Sequence, residues 1–394
     1  MYADKDYIIN LRHEIHEYPE IGFDLPKTIS VVKRELEKLN VPYSESYGES
    51  SVVGVINPNK KGFTIGIRAD MDALPIEEKA DIPFKSKIKG QMHACGHDAH
   101  TAMLLGTAKA LKEMEDKIDC RVLLIFQPSE EGVRSGAKEL VEGGLMEEVD
   151  VIVGLHVENW LPSGTIGVCA GSSMASSRNF KVSFYGATAH ASLPQSGVDA
   201  LSAIIKTYND IHLSLAREVN PFEQYVFSVG KLEGGTTQNV IADYAYMVGT
   251  IRTFNNELDD YIIKKLEKIA SLVASETGAR AEVETSLQAT VLYNDPYLSS
   301  LALKSAEKIV GKDGIVKMNK KLSSEDFSHY VSKKPGVFMR LGTRNEEKGC
   351  VTLPHNNDFL IDEDAFEIGT NLCVQFVLDN MKGVDADKLG EKLL

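Results

Sequence analysis

Apolar residues recur at helical spacing from Asp4 to Asn40 with a break at Pro19 and Gly22, and Ile29, Val32, Leu36 and Leu39 line one stripe of the second helix. Ser51–Ile56 and Thr64–Ala69 then read as strands around the turn-rich NPNKKG. A helical run over Thr101–Met114 precedes two further buried strands, Arg121–Phe126 and Val149–Leu155. Strands that alternate with helices predict a mixed, largely parallel sheet with helices on both faces, an α/β domain.

The pattern changes near Arg178. Asn179–Tyr185, Gln224–Leu232, Asp243–Phe254 and Ala279–Thr285 are strand-like, while Val198–Ala216 and Glu257–Glu276 are helical. That βαββαβ order predicts a ferredoxin-like α+β domain over residues 178–289, inserted into a discontinuous domain made of residues 1–177 and 290–394. The chain returns to α/β character with a helix at Tyr297–Val310, a strand at Gly336–Leu341 and a closing helix at Asp364–Asn380.

A length of 394 residues suits two domains. The formal net charge of −14, with no Lys/Arg block, argues against nucleic acid as a partner. No uninterrupted apolar run is long enough for a membrane span, and the acidic opening MYADKDYIIN lacks the apolar core of a signal peptide, so the expected location is cytoplasmic. The five cysteines are odd in number and scattered, unlike a disulfide framework, and four of them read as small core residues.

Chemistry concentrates where strands end. Asp70 and Asp72 follow the second strand, Glu130 and Glu131 follow Arg121–Phe126, and His156 follows Val149–Leu155. The decapeptide QMHACGHDAH packs His93, Cys95, His97, Asp98 and His100 ahead of a helix, and His355 lies in the turn-forming loop LPHNNDF. Thiolate, imidazole and carboxylate bind borderline-soft divalent ions. Cys95, His97, Glu131, His156 and His355 together suit one or two such ions with a position left open for water. Glu130 is then placed to take a proton from that water. His13 and His16, three apart on the first helix, lack the spacing of the zinc-protease signature and read as part of a polar helix face.

HACGHD at His93–Asp98, RADMDALP at Arg68–Pro75, the Glu130/Glu131 pair, LHVE with His156, GATAHAS around His190 and LPHNNDF with His355 occur in one order along essentially the whole chain. In this the sequence resembles the metal-dependent amidohydrolases that include aminoacylases, hippurate hydrolases, N-acetyldiaminopimelate deacetylases and auxin-conjugate hydrolases. The resemblance implies two ions per subunit, zinc or manganese with cobalt or nickel as options, held by Cys95, His97, Glu131, His156 and His355. It implies Glu130 as general base and acid, and Asp72 as the group behind a ligating His. It also implies that the inserted domain is a lid that mediates homodimerisation, with His190, in the same chain or across the dimer, stabilising the oxyanion. Asn239 and Arg252 would then bind the carboxylate of an N-acyl amino acid. Ala242, where the family usually has Pro, and Arg178 and Asn179, near which it often has Asp, depart from the pattern.

The expected reaction is hydrolysis of an N-acyl amino acid to a carboxylic acid and a free amino acid. A dipeptidase or aminopeptidase on the same scaffold is the nearest alternative. A redox or covalent enzyme built on Cys95 is the alternative from another class.

Overall fold

The computed structural model describes residues 2–390, which form two compact units. The first holds the chain up to Ser173, then Tyr293–Asn319, and the chain from Glu325 on; the second holds Met174–Leu292 and Lys320–Ser324. The sequence expectation had set the insertion at 178–289, without the short return segment.

In the first unit the chain runs through α1 (Lys5–His16), α2 (Pro26–Lys38), β1 (Tyr43–Ser44), β2 (Val52–Ile56), β3 (Thr64–Asp70), α3 (His97–Glu113), β4 (Arg121–Gln127), α4 (Gly136–Glu142), β5 (Val151–Pro162), β6 (Ile166–Val168) and β7 (Gly171–Met174). The second unit contributes β8 (Ser177–Tyr185), α5 (Ala200–Glu218), β9 (Tyr225–Gly234), β10 (Tyr244–Thr253), α6 (Asn256–Thr277) and β11 (Arg280–Ala289). After β12 (Leu292–Asn294), which pairs with β7, come α7 (Pro296–Val310), β13 (Ile315–Lys317), α8 (Ser328–Val331), β14 (Gly336–Arg344) and α9 (Phe366–Asn380).

Eight strands form the main sheet in the order β1-β2-β4-β3-β5-β14-β6-β13. The central pairs β4/β3, β3/β5 and β5/β14 are parallel, whereas β1/β2, β2/β4 and β14/β6 are antiparallel, so the sheet is mixed with a parallel centre. Strand periodicity divides its side chains between two faces. Ile65, Ile67 and Ala69 join the core under α1, α2, α3, α7 and α9, while α4 and α8 cover the other face against β4 and β14. Parallel strands buried on both faces put their carboxyl ends along one edge, where open α/β sheets bind ligands.

Arg68 shows how the thinner face is held. It points away from the core of Ile65 and Ile67 and is fully buried, with Nε donating to Gln127 Oε1 (2.7 Å) and its two terminal nitrogens donating to Asp70 Oδ2 (2.6 Å) and Asp326 Oδ1 (2.8 Å). Glu325 stands 3.0 Å from the same guanidinium. Asp326 also accepts from Ser135 Oγ (2.7 Å) and the Ala137 N–H (3.1 Å). A segment nearly 200 residues downstream is thereby fastened beside the exit of β4. Buried charges of this kind hold only when every one is paired.

The second unit has the strand order β11-β8-β10-β9, antiparallel throughout, with α5 and α6 packed on one face over Phe180, Val182, Phe184, Met247 and Ile251. This is the expected ferredoxin-like arrangement.

Two elements differ from the sequence expectation near the functional edge. β5 continues through His156 to Pro162, because β14 pairs with it in parallel register as far as Glu158 and, after a register shift, again at Pro162. α3 starts at His97, four residues early, because Gly96 adopts φ +90° and its carbonyl accepts from the Ala99 and His100 N–H groups. Among the described residues all five cysteines are free; Cys169 is half-buried and the others are buried. No helix of the described residues is long and apolar enough to cross a membrane.

Candidate metal centre

The exits of β3 and β4 and the middle of β5 converge with the N-terminus of α3. Cys95 and His97 flank Gly96, where a Cβ would stand 2.4 Å from Val157 Cγ2, so only glycine allows the turn to lie this close to β5. Cys95, His97 and His156 bring one donor atom each within 4.8 Å of one another, and so do Cys95, Glu131 and His355. Cys95 belongs to both triads. Its Sγ lies 3.4 Å from His156 Nε2. Sulfur and nitrogen ligands of one tetrahedral ion are roughly 3.6 Å apart, given bond lengths of about 2.3 and 2.1 Å.

Surrounding groups orient the imidazoles. His156 Nδ1 donates to the Val157 carbonyl (2.6 Å), which turns the lone pair of Nε2 toward Cys95. His97 Nδ1 lies 3.3 Å from Asp72 Oδ1, and its buried Nε2 has no hydrogen-bond partner. Glu131 Oε1 lies 2.9 Å from His355 Nε2, which brings the loop carrying His355 onto the carboxylate. Buried polar atoms are normally paired. An unpartnered buried imidazole nitrogen beside a thiol, a carboxylate and further imidazoles fits a divalent cation.

Electrostatics point the same way. Burial opposes charge on His97, yet Asp70 and Asp72 outweigh it and raise its pKa to about 10. A field that holds a proton there also favours a metal ion. Burial, together with Glu131 and Glu130, pushes the Cys95 thiol well above its ordinary value. An intrinsically reactive cysteine is a partly exposed thiolate in electropositive surroundings; Cys95 is neither exposed nor so placed, which counts against redox or covalent chemistry. Burial, His100 and Arg340 keep His156 neutral, as a ligand requires.

Glu130 is raised well above the carboxylate range by burial and by the nearby Glu325 and Glu131. Its Oε1 accepts from the Asp326 N–H (3.4 Å). Asp72 accepts the backbone N–H of both Glu130 (3.0 Å) and Glu131 (3.1 Å), so one carboxylate positions the pair and contacts His97 as well. His190, Asn239 and Arg252 lie in the second unit, where the His190 segment bridges to Val240 and the Ala191 N–H donates to the Asn239 carbonyl.

Asp70, His97 and His100 also lie close together, but His100 has both ring nitrogens engaged within the protein. Its Nδ1 donates to Asp70 Oδ1 (2.6 Å) and its Nε2 accepts from the Val157 N–H (3.0 Å), so both ring nitrogens are used in clamping β5. Glu325, Asp326 and Gln127 escaped the sequence reading. In the sequence the loop SSEDFS, Ser323–Ser328, shows two adjacent acids, but nothing local ties them to Arg68. His16 is no part of a polar face: it is fully buried, between Asp98 and Glu78.

Residues 66–379 match the model of Peptidase family M20/M25/M40. Thermostable carboxypeptidase 1 of Saccharolobus solfataricus is 39% identical over 370 residues, which cover 93% of each chain. IAA-amino acid hydrolase ILR1-like 4 of Arabidopsis thaliana is 36% identical over 371 residues, covering 93% of this chain and 84% of the plant protein. The crystal structure of the YXEP protein of Bacillus subtilis, described as a dinuclear metal binding peptidase from the M20 family, superposes with a TM-score of 0.80 at 31% identity over 95% of this chain and 97% of that one. With a matching family model over most of its length and a site that fits divalent metal, this chain belongs to peptidase family M20/M25/M40 and is a metal-dependent amidohydrolase.

Proposed function

We propose that the chain hydrolyses the amide bond of N-acyl amino acids, using two divalent ions for which Cys95 would be a common ligand. The observation that carries this reading is the pair of donor triads meeting at Cys95, with Glu130 beside them. Thiol, imidazole and carboxylate donors suit zinc, with manganese, cobalt or nickel as options. Ions held by Cys95, His97, Glu131, His156 and His355 would polarise the amide carbonyl and lower the pKa of a water toward neutrality.

The chain's own residues do the rest. Glu130, with Oε1 oriented by the Asp326 N–H, takes the proton of the attacking water on Oε2 and delivers it to the departing amine nitrogen. Asp72 keeps Glu130 in register through its backbone N–H. His190 Nδ1 accepts from the Ser192 N–H (3.2 Å), which leaves the ring proton on Nε2 as a donor suited to an oxyanion. Arg252 is partly buried, and among the described residues its hydrogen bond goes to Ser324 Oγ (2.9 Å), so a substrate carboxylate would supply the missing anion, with Asn239 assisting.

A peptidase reading also draws support, from the relative named a carboxypeptidase. A dipeptidase or aminopeptidase would additionally need a group for the substrate's free amine. For the assembly, we infer a homodimer through the second unit. Ile205, Tyr208 and Leu213 are exposed on α5, whose Ile204 and Ile211 are buried, and Leu232 is exposed on the edge strand β9. Free thiols suit a reducing compartment such as the cytoplasm.

Glu130→Gln should lower kcat by about 10²–10⁴-fold while metal content stays that of the parent protein; undiminished turnover would overturn the assigned base. Arg252→Ala should cost ~10–100-fold in kcat/KM, mainly through KM, on acetyl, benzoyl and indole-acetyl amino acids. A panel including dipeptides and amidated amino acids checks this, and equal rates on carboxylate and amide forms would exclude the clamp. Light scattering should give a dimer mass that falls to a monomer in Leu213→Asp; a parent monomer would refute the interface.

A further inference from the structure

His16 has no part in the reaction just described, yet it is fully buried between two carboxylates. Its Nδ1 lies 2.7 Å from Asp98 Oδ2 and its Nε2 lies 3.1 Å from Glu78 Oε1. An imidazole can donate to both only when both nitrogens carry protons. Burial and Arg12 oppose that charge, and Asp98 and Glu78 outweigh them, so its pKa is raised.

Each carboxylate leads to a different part of the metal centre. Asp98 follows His97 in the first turn of α3, and Arg12 Nε also donates to its Oδ2 (2.7 Å). Glu78 belongs to the irregular segment between Pro75 and Met92, where its Oε2 accepts from the Ser86 N–H (2.6 Å). The next residue, Lys79, donates its N–H to the Asn357 carbonyl (2.6 Å), two residues beyond His355. His355 itself donates its N–H to the Ala94 carbonyl (2.8 Å), beside Cys95. Its φ is +66°, a conformation that costs a non-glycine residue free energy and persists only where neighbouring structure enforces it.

We infer that His16 is a positioning residue that couples the two halves of the metal centre: it ties the turn bearing His97 to the strap that holds the loop bearing His355. The connection runs from Asp98 through His16 to Glu78, and from Lys79 to Asn357. Removing the imidazole leaves two buried carboxylates with no cation between them. Arg12 still holds Asp98, so the loss falls on the strap and hence on His355. The inference rests on the two-ion reading, and its signature is a selective weakening of the ion that His355 ligates.

The test is titration of the metal-free protein with Co(II), followed by the thiolate charge-transfer and d–d bands and by competition with a chromogenic chelator. The parent protein should bind two equivalents; if it binds fewer, the two-ion reading itself fails, independently of any variant. His16→Ala and Glu78→Ala should bind the first equivalent as the parent does and the second ~10–100-fold more weakly. Activity should recover at high cobalt. Glu78→Gln keeps a link, since its amide can donate to a neutral His16 Nε2, and should lie within about threefold of the parent. If His16→Ala does not fold, Glu78→Ala carries the test, because Arg12 still pairs with Asp98. Parent-like affinity for both ions in the alanine variants would overturn the inference. So would an equal loss in Glu78→Gln and Glu78→Ala, which would mark general damage to the fold.

Discussion

The structure depends on a set of buried donor atoms that the protein cannot satisfy by itself. His97 Nε2 has no hydrogen-bond partner, the Glu131 carboxylate meets imidazole and thiol groups, and burial and the surrounding carboxylates push the Cys95 thiol well above its ordinary value. Desolvated acceptors in a field of Asp70, Asp72, Glu130 and Glu131 are costly unless a cation enters. The sheet serves this requirement: β3 and β4 end beside His156 of β5, and Gly96 lets α3 begin against Val157 so that Cys95 and His97 meet the donors arriving from β4 and β5.

A second layer keeps those donors aimed. Asp72 holds Glu130 and Glu131 by their backbone N–H groups while it contacts His97, and His100 spans Asp70 and the Val157 N–H. Arg68 brings Asp326 and Glu325 onto the thin face of the sheet, where the Asp326 N–H meets Glu130. Orienting partners of this kind fix tautomer and geometry, and their loss typically costs ~10–100-fold in metal affinity or activity. The position of Glu130 thus relies on residues drawn from both ends of the first unit.

Much of this was legible in the sequence where the signal is local. β3 and β4 could be read from apolar runs that stop at Asp70 and Gln127, and the ferredoxin-like order of the second unit from the alternation of its elements. His156 was misread as following its strand, because the pairing that prolongs β5 comes from β14, some 180 residues later in the chain. Asp98, Glu78 and His16 illustrate the limit more sharply. A helix periodicity reports which face is apolar, and a buried imidazole flanked by charged residues looks the same as an exposed one until distant carboxylates are folded onto it. Glu325 and Asp326 were visible as a pair of acids, but only Arg68, across the sheet, gives them a place.

The most direct test of the central claim, that Cys95 is shared by two ions, is X-ray absorption at the zinc edge on protein loaded with two equivalents of Zn(II). Sharing predicts an average of one sulfur per zinc at about 2.3 Å, lost in Cys95→Ser. An average of half a sulfur per zinc would place Cys95 on a single ion, and a shell without sulfur would remove it from the site; either result contradicts the account.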